Sequence, residues 1–331
     1  MTASTHPASP IPRPSGSPLG LPVVIDTDPG IDDCLALLLA LKSPELDVRG
    51  ISISYGNTVV EHAWRNAVEI LRRAGQRRPL AVGARRPLKR PLVTARETHG
   101  DSGLGYAALP RAGSVLDFAK TLEQLLAAQP EPVTLVTLGP VTSLALALRR
   151  EPDVVRAKVA RHVAMAGCFR VKGNTTPHSE FNAWCDPEAL DVVVRAGLGG
   201  GGSELVPLDV TRQIVVTGEE VARLAQSPDD GERWLHDALR FYVEFHRRRE
   251  RLDGCVVNDI LPIAALIRPE VMTLRASHVA VILDDGDDRG RTRGDKEGAP
   301  IAVAEQVRPD VARQLLFERV LPSLAGAEAH S

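Results

Sequence analysis

From residue 21 onward, short apolar runs alternate with stretches of helical periodicity. Residues 22–26 read as an apolar strand, and residues 31–41 as a helix apolar on most faces. A second strand is expected over 48–54, with Ile51 and Ile53 on one face. Val60, Ala63, Ala67, Ile70 and Leu71 mark one stripe of a helix over 58–74. The pattern repeats as a strand at 133–138, a helix at 141–148 after the Gly139-Pro140 break, and a strand at 159–165. Asp186-Pro187 supplies an N-cap and a first-turn proline for a helix over 188–195. Such β-then-α units imply an α/β fold, an open and mostly parallel sheet flanked by helices, joined by right-handed crossovers. The later part reads as more helical, with its longest helix over 231–251. Residues 284–300, dense in Asp, Gly and Arg, read as an exposed hairpin or loop, and residues 199–202 as a flexible glycine link.

Composition narrows the function. Of 331 residues, 40 are Lys or Arg and 42 Asp or Glu, for a formal net charge of −2. A protein held to nucleic acid by counterion release needs a basic excess or face, and 4% aromatic residues supply no stacking platform. The longest unbroken apolar run, residues 34–41, is far short of the roughly 20 residues that span a bilayer. The Pro-, Ser- and Thr-rich residues 1–20 lack the apolar segment of a signal peptide and read as a disordered tail. Cys34, Cys168, Cys185 and Cys255 are scattered without a C-x-x-C pair, which fits free thiols in a reducing cytoplasm.

The sharpest chemical feature is the turn after the first strand. Asp26-Thr27-Asp28-Pro29-Gly30-Ile31-Asp32-Asp33 places four carboxylates in eight residues, at the strand end where parallel α/β sheets bind ligands. Helix capping accounts for one or two of them. Four converging acids repel, and a hard cation such as Ca²⁺ or Mg²⁺ relieves that repulsion through all-oxygen ligation.

With this turn the chain resembles the inosine–uridine type nucleoside hydrolases, whose opening signature is Asp-x-Asp-Pro-Gly-x-Asp-Asp-x-x-Ala-Leu. It is present here from Asp26 to Leu37. Matching blocks follow in the family's order between about residues 22 and 320: Gly56-Asn57, His99-Gly100 through Gly105, Gly139-Pro140 through Ser143, Gly173-Asn174, Glu180-Phe181-Asn182, Asp186 through Ala189, and Thr292-Arg293-Gly294. The resemblance implies one nucleoside hydrolase domain over residues 21–325 and one Ca²⁺ at the strand ends. It implies metal ligation by Asp28, Asp33, the Leu138 carbonyl and Asp259. It gives the ribose hydroxyls to Asp32, Asn57, Asn174, Glu180 and Asn182, and makes Asp28 the acceptor of a proton from the water that the metal holds. It further implies a small-molecule ribonucleoside as substrate and a homo-oligomer, dimer or tetramer.

Read locally, Asn57 and Asn174 each follow a glycine and suit ordinary turns, and Asp186 is better explained as a cap than as a catalyst. Glu180-Phe181-Asn182 has no strong local structural explanation. The chain departs from the family at Val257-Asn258-Asp259-Ile260, where relatives commonly read His-Asp-Pro. In purine-cleaving relatives that His is implicated in protonating the base, and a neutral amide is no acid near pH 7. His99 is the matched candidate for assisting a pyrimidine leaving group. His246, twelve residues before Asn258, falls where relatives place base-contacting side chains, although a lone helical His is more often on the surface. The Arg247–Arg251 cluster reads as a solvated face. The expected activity is hydrolysis of ribonucleosides, pyrimidine before purine. A nucleoside sensor that has lost its general acid, and a haloacid dehalogenase-type phosphatase suggested by Asp26-x-Asp28, are the alternatives.

Overall fold

The computed structural model describes residues 20–110, 120–200 and 202–325. The tail expected over residues 1–20 therefore lies outside the described residues except at Gly20, as does Gly201 of the expected glycine link. Six strands precede the helical region: β1 (Leu21–Thr27), β2 (Leu46–Ile53), β3 (Leu80–Val82), β4 (Val133–Thr137), β5 (Val159–Met165) and β6 (Glu204–Val206). A small antiparallel pair follows, β7 (Val215–Thr217) and β8 (Gly254–Val256). Then come β9 (Met272–Val281), β10 (Thr292–Gly294) and β11 (Ala299–Val307). The main sheet runs β10-β9-β11-β6-β5-β4-β1-β2-β3, parallel from β3 through β11 and antiparallel where β9 joins β11 and β10.

The early elements fall within two residues of their sequence expectation, as in the helices Val60–Arg73, Thr142–Arg150, Pro187–Arg195 and Asp230–Glu250. Among the strands, the pattern left the short β3, β6, β7 and β8 and the long β9 and β11 unassigned. Several β9 side chains are exposed or half-buried, which erases the alternation that marks a half-buried strand. The segment 284–300 is also more than an exposed loop. It contains β10 and the start of β11, and it buries Arg289 and Thr292. Arg289 clasps Glu188 through Nη2 at 2.6 and 2.7 Å, and Thr292 Oγ1 bonds both the amide and the carbonyl of Cys168.

The pleat of β1 sets the two layers. Val23 and Ile25 face the layer of the helix Ile31–Leu41, whose residues are all buried, while Val24 faces the layer of Thr142–Arg150. The neighbours of β1 are β2 on one side and β4 on the other, so the strand order reverses between β1 and β4. The crevice at such a switch point, outside the carboxyl ends of the strands, is the one place where loops diverge to both faces and leave a cleft.

Candidate functional site

A cleft enclosing about 720 Å³, its open mouth included, occupies that crevice. It collects the residues just past the strand ends: Asp32 after β1, Asn57 after β2, Leu138 after β4, and Asn258 with Asp259 after β8. Asn174, Glu180 and Asn182 close one side, and His99 and His246 the other. Ten of the twelve residues singled out from the sequence thus line one cavity. The other two, Asp28 and Asp33, lie directly beneath it.

Two glycines give Asp28 its place. A Cβ at Gly139 would lie 2.2 Å from Asp28 Oδ1, and one at Gly56 would lie 1.9 Å from Oδ2. The Asn57 amide donates to Oδ2 at 2.6 Å, while Oδ1 is buried with no partner. Asp33 serves the capping purpose weighed for it. Its Oδ2 caps the helix Ile31–Leu41 through the Gly30 amide at 3.0 Å and accepts from Asn57 Nδ2 at 2.7 Å; Oδ1 takes the Thr27 hydroxyl. Carboxylate oxygens of Asp32, Asp33 and Asp259 lie within 4.8 Å of one another. Burial, reinforced by the neighbouring acids, raises Asp28 and Asp259 well above the ordinary carboxylate range and Asp32 to about 7. An orphaned buried oxygen beside three mutually repelling carboxylates fits a hard divalent cation, and no donor in the set is the sulfur or imidazole a softer ion prefers.

Asp26 does not join this group, although all four acids of the turn were expected to converge. It follows Val24 on the opposite face of β1 and packs beside Ser52 and Ser143, where burial lifts its carboxyl to about 7 against the pull of those hydroxyls. The period of two in a strand sends alternate side chains to opposite layers, so adjacency in sequence was misleading here.

Glu180 has the local explanation that the sequence lacked. It caps the helix Phe181–Cys185, accepting from the Asn182 amide at 2.7 Å and from the Ala183 and Gly167 amides at 3.0 Å. Burial outweighs these bonds and raises it to about 7. Asn182 Nδ2 donates to the carbonyls of Leu138 at 2.7 Å and Met165 at 3.0 Å, and Asn174 Oδ1 accepts from the Phe181 amide at 2.9 Å. The Leu138 carbonyl, expected to face a metal, thus already serves one donor and keeps one lone pair. Asp186 is the N-cap it was expected to be, accepting from Ala189 at 3.1 Å.

On the other side His99 is buried, and its Nδ1 accepts from the Ile31 amide at 3.1 Å. Burial, with the charge of His246 second, pushes it down to about 3, so its ring is neutral at pH 7. His246 is buried too, not on the surface, and burial pushes it down as well. Tyr242 packs against both, 5.3 Å from the His99 ring and 4.6 Å from the His246 ring, with its hydroxyl 3.3 Å from Asp32 Oδ2. Asn258 is held by Thr211, whose hydroxyl donates to Oδ1 at 2.8 Å, and its amide beside Asp32 pulls that carboxyl down against burial. Of the Arg247–Arg251 cluster, Glu250 lines the cleft and the four arginines do not. Arg247 pairs with Asp253 at 2.6 Å, and Arg249 pairs with Glu97 on the short helix that carries His99.

Thr211, Arg212, Tyr242 and Phe245 were not read from the sequence. Tyr242, one helical turn before His246, carried a usable signal. Thr211 and Arg212 carried none, being 47 and 46 residues from Asn258.

The fold and site define an α/β protein with a polyanionic pocket at its switch point, lined by both amides and imidazoles. The chain belongs to the inosine-uridine preferring nucleoside hydrolase family, whose model matches residues 23–314. It is 36% identical over 322 residues to the pyrimidine-specific ribonucleoside hydrolase RihA of Citrobacter koseri, covering 91% of this chain and 98% of the relative. It is 32% identical to probable uridine nucleosidase 1 of Oryza sativa subsp. japonica, covering 90% and 95%. Among solved structures, a plant nucleoside hydrolase superposes with a TM-score of 0.81 at 32% identity, covering 91% and 98% of the two chains. The purine-preferring ribonucleoside hydrolase of Gardnerella vaginalis gives 0.83 at 26% identity, covering 92% and 100%. Family membership displaces the phosphatase alternative. Pyrimidine-specific and purine-preferring relatives are both similar, so base preference rests on the side chains of the cleft. No helix among the described residues is long and apolar enough to cross a membrane.

Proposed function

We propose that the chain hydrolyses the N-glycosidic bond of ribonucleosides to free base and ribose, with pyrimidine ribonucleosides preferred and Ca²⁺ as cofactor. The observation that carries this reading is the meeting, in one cleft, of the buried acids Asp32, Asp33 and Asp259 with the amides of Asn57, Asn174 and Asn182. Asp28, Asp33, Asp259 and the Leu138 carbonyl are the proposed metal ligands; Asp32, close enough to share that duty, holds the ribose diol. A bound cation orients a water and makes it more acidic.

Asp28 Oδ1, buried and without a partner, accepts the proton of the attacking water. Burial and the charges of Asp33 and Asp32 make that carboxylate more basic than an ordinary one. As the C–N bond breaks, positive charge builds on the sugar, and the surrounding carboxylates supply a negative field there. Asn57, Asn174, Glu180 and Asn182 orient the sugar through its hydroxyls. His99 assists the leaving base as a neutral N–H donor, because its Nδ1 lone pair is committed to Ile31. Asn258, held by Thr211, is not a proton donor, and turnover of a nitrophenyl riboside separates the hydrolase from the sensor alternative.

Release of free ribose from uridine, cytidine, inosine and adenosine tests the reading. The expected order places the pyrimidines first, and inosine cleaved faster than uridine would overturn the preference. The four cysteines are free and buried, which supports a reducing cytoplasmic setting. The dimer or tetramer expectation rests on the family resemblance.

A further inference from the structure

We propose that His99 and His246 read the departing base as a donor–acceptor pair, so that the cleft selects bases with a lactam edge, a carbonyl beside a ring N–H. The inference rests on the hydrolase reading and deepens it. The two imidazoles are fixed in opposite tautomers by backbone groups. The Ile31 amide donates to Nδ1 of His99 at 3.1 Å, so the single ring proton of His99 sits on Nε2. Nδ1 of His246 lies 2.9 Å from the Tyr242 carbonyl oxygen, which can only accept; that nitrogen therefore carries the proton, and Nε2 is a bare lone pair.

Both rings are about 4% exposed, and both line the cleft. Among the described residues neither Nε2 has a protein hydrogen-bond partner, and neither is among the fully buried polar atoms left without one. The cleft is therefore where each still meets water or a ligand. Tyr242 packs against both rings, and its hydroxyl is turned to Asp32. The wall accordingly offers one N–H and one lone pair, both beside one aromatic ring.

Uracil presents a carbonyl to the first and N3–H to the second. Cytosine keeps its O2 carbonyl but turns a lone pair at N3 toward the lone pair of His246, and two facing acceptors leave both unsatisfied. Hypoxanthine carries a lactam edge and adenine carries none, so the same rule orders the purines. Sites built to hydrogen-bond a group discriminate strongly against the analogue that lacks it.

The test compares kcat/KM for uridine, cytidine and 3-methyluridine, whose N3–H is replaced by a methyl group. Wild-type protein is expected to prefer uridine to each by about 10-fold or more. In His246→Ala the uridine-to-cytidine ratio should fall toward one; because a ratio is taken on one preparation, partial misfolding cancels. Cytidine or 3-methyluridine cleaved as fast as uridine by the wild type overturns the inference, as does an unchanged ratio in His246→Ala. A nitrophenyl riboside separates the two levels of failure. If it too stays intact, the hydrolase reading falls and the inference with it.

Discussion

Thr211→Val tests the brace on Asp32 with a change that removes little more than one hydroxyl. Thr211 is fully buried, and its Oγ1 donates to Asn258 Oδ1 at 2.8 Å. A buried acceptor left without a partner costs about 1–3 kcal/mol. Asn258 escapes part of that cost by turning, and turning withdraws its side chain from Asp32. With about 1.4 kcal/mol per tenfold, the full cost corresponds to about 5- to 140-fold, which bounds the expected loss in kcat/KM from above. The loss belongs to the sugar clamp, so it should be equal for uridine and for a nitrophenyl riboside, whose leaving group needs no protonation. Thr211→Ser, which restores the hydroxyl, should recover most of it. Steady-state kinetics on the two substrates decide the matter. A loss confined to uridine would place Asn258 on the leaving group and refute the brace, and an undiminished kcat/KM would refute it equally.

Asp33→Ala removes one carboxylate of the acid cluster and should lower calcium binding, measured by calorimetry, together with turnover; full activity after exhaustive chelation would sink the metal assignment. Uridine should be preferred to 2′-deoxyuridine, since a missing hydroxyl leaves polar groups of the clamp unpaired; equal rates would count against the assignment of Glu180 and Asn182. His99→Ala should slow uridine far more than a nitrophenyl riboside, and equal slowing would mean that His99 only shapes the site. His162 gives a stability prediction. It is buried between Thr137 Oγ1 at 3.1 Å and Ser203 Oγ at 2.7 Å, and burial pushes it down to about 3. Its unfolded value is about 6.5, so between those limits the unfolded chain binds the extra proton and acid destabilises the fold. The contribution is complete above pH 6.5 and lost as pH falls toward 3. The stability advantage of wild type over His162→Gln should therefore shrink by about 2 kcal/mol from pH 7 to pH 5, read from urea midpoints, and a constant gap would contradict it.

How much of this was legible in the sequence depended on the range over which each feature is encoded. The strand–turn–helix from β1 to the helix Ile31–Leu41 is local: an apolar run, a Pro-Gly turn and an apolar helix dictate one another within twenty residues. The acidic signature in that turn pointed to a hard cation, and the family resemblance added the ribose chemistry together with Asn57, His99, Asn174 and Asp259. Pairing across the sheet was not legible. β9 and β11 pair with each other over roughly 20 to 35 residues of chain, and the solvent exposure of β9 hides its period. The tertiary structure alone decided that Asp26 faces away from the other acids, because the strand pleat outranks sequence proximity. It alone turned Glu180 from an unexplained acid into a helix cap at the cleft. The tautomers of His99 and His246 and the anchoring of Asn258 by Thr211 were decided there as well. Each depends on a single hydrogen bond to a group from another segment or another turn, and residue type carries no record of which lone pair is already taken.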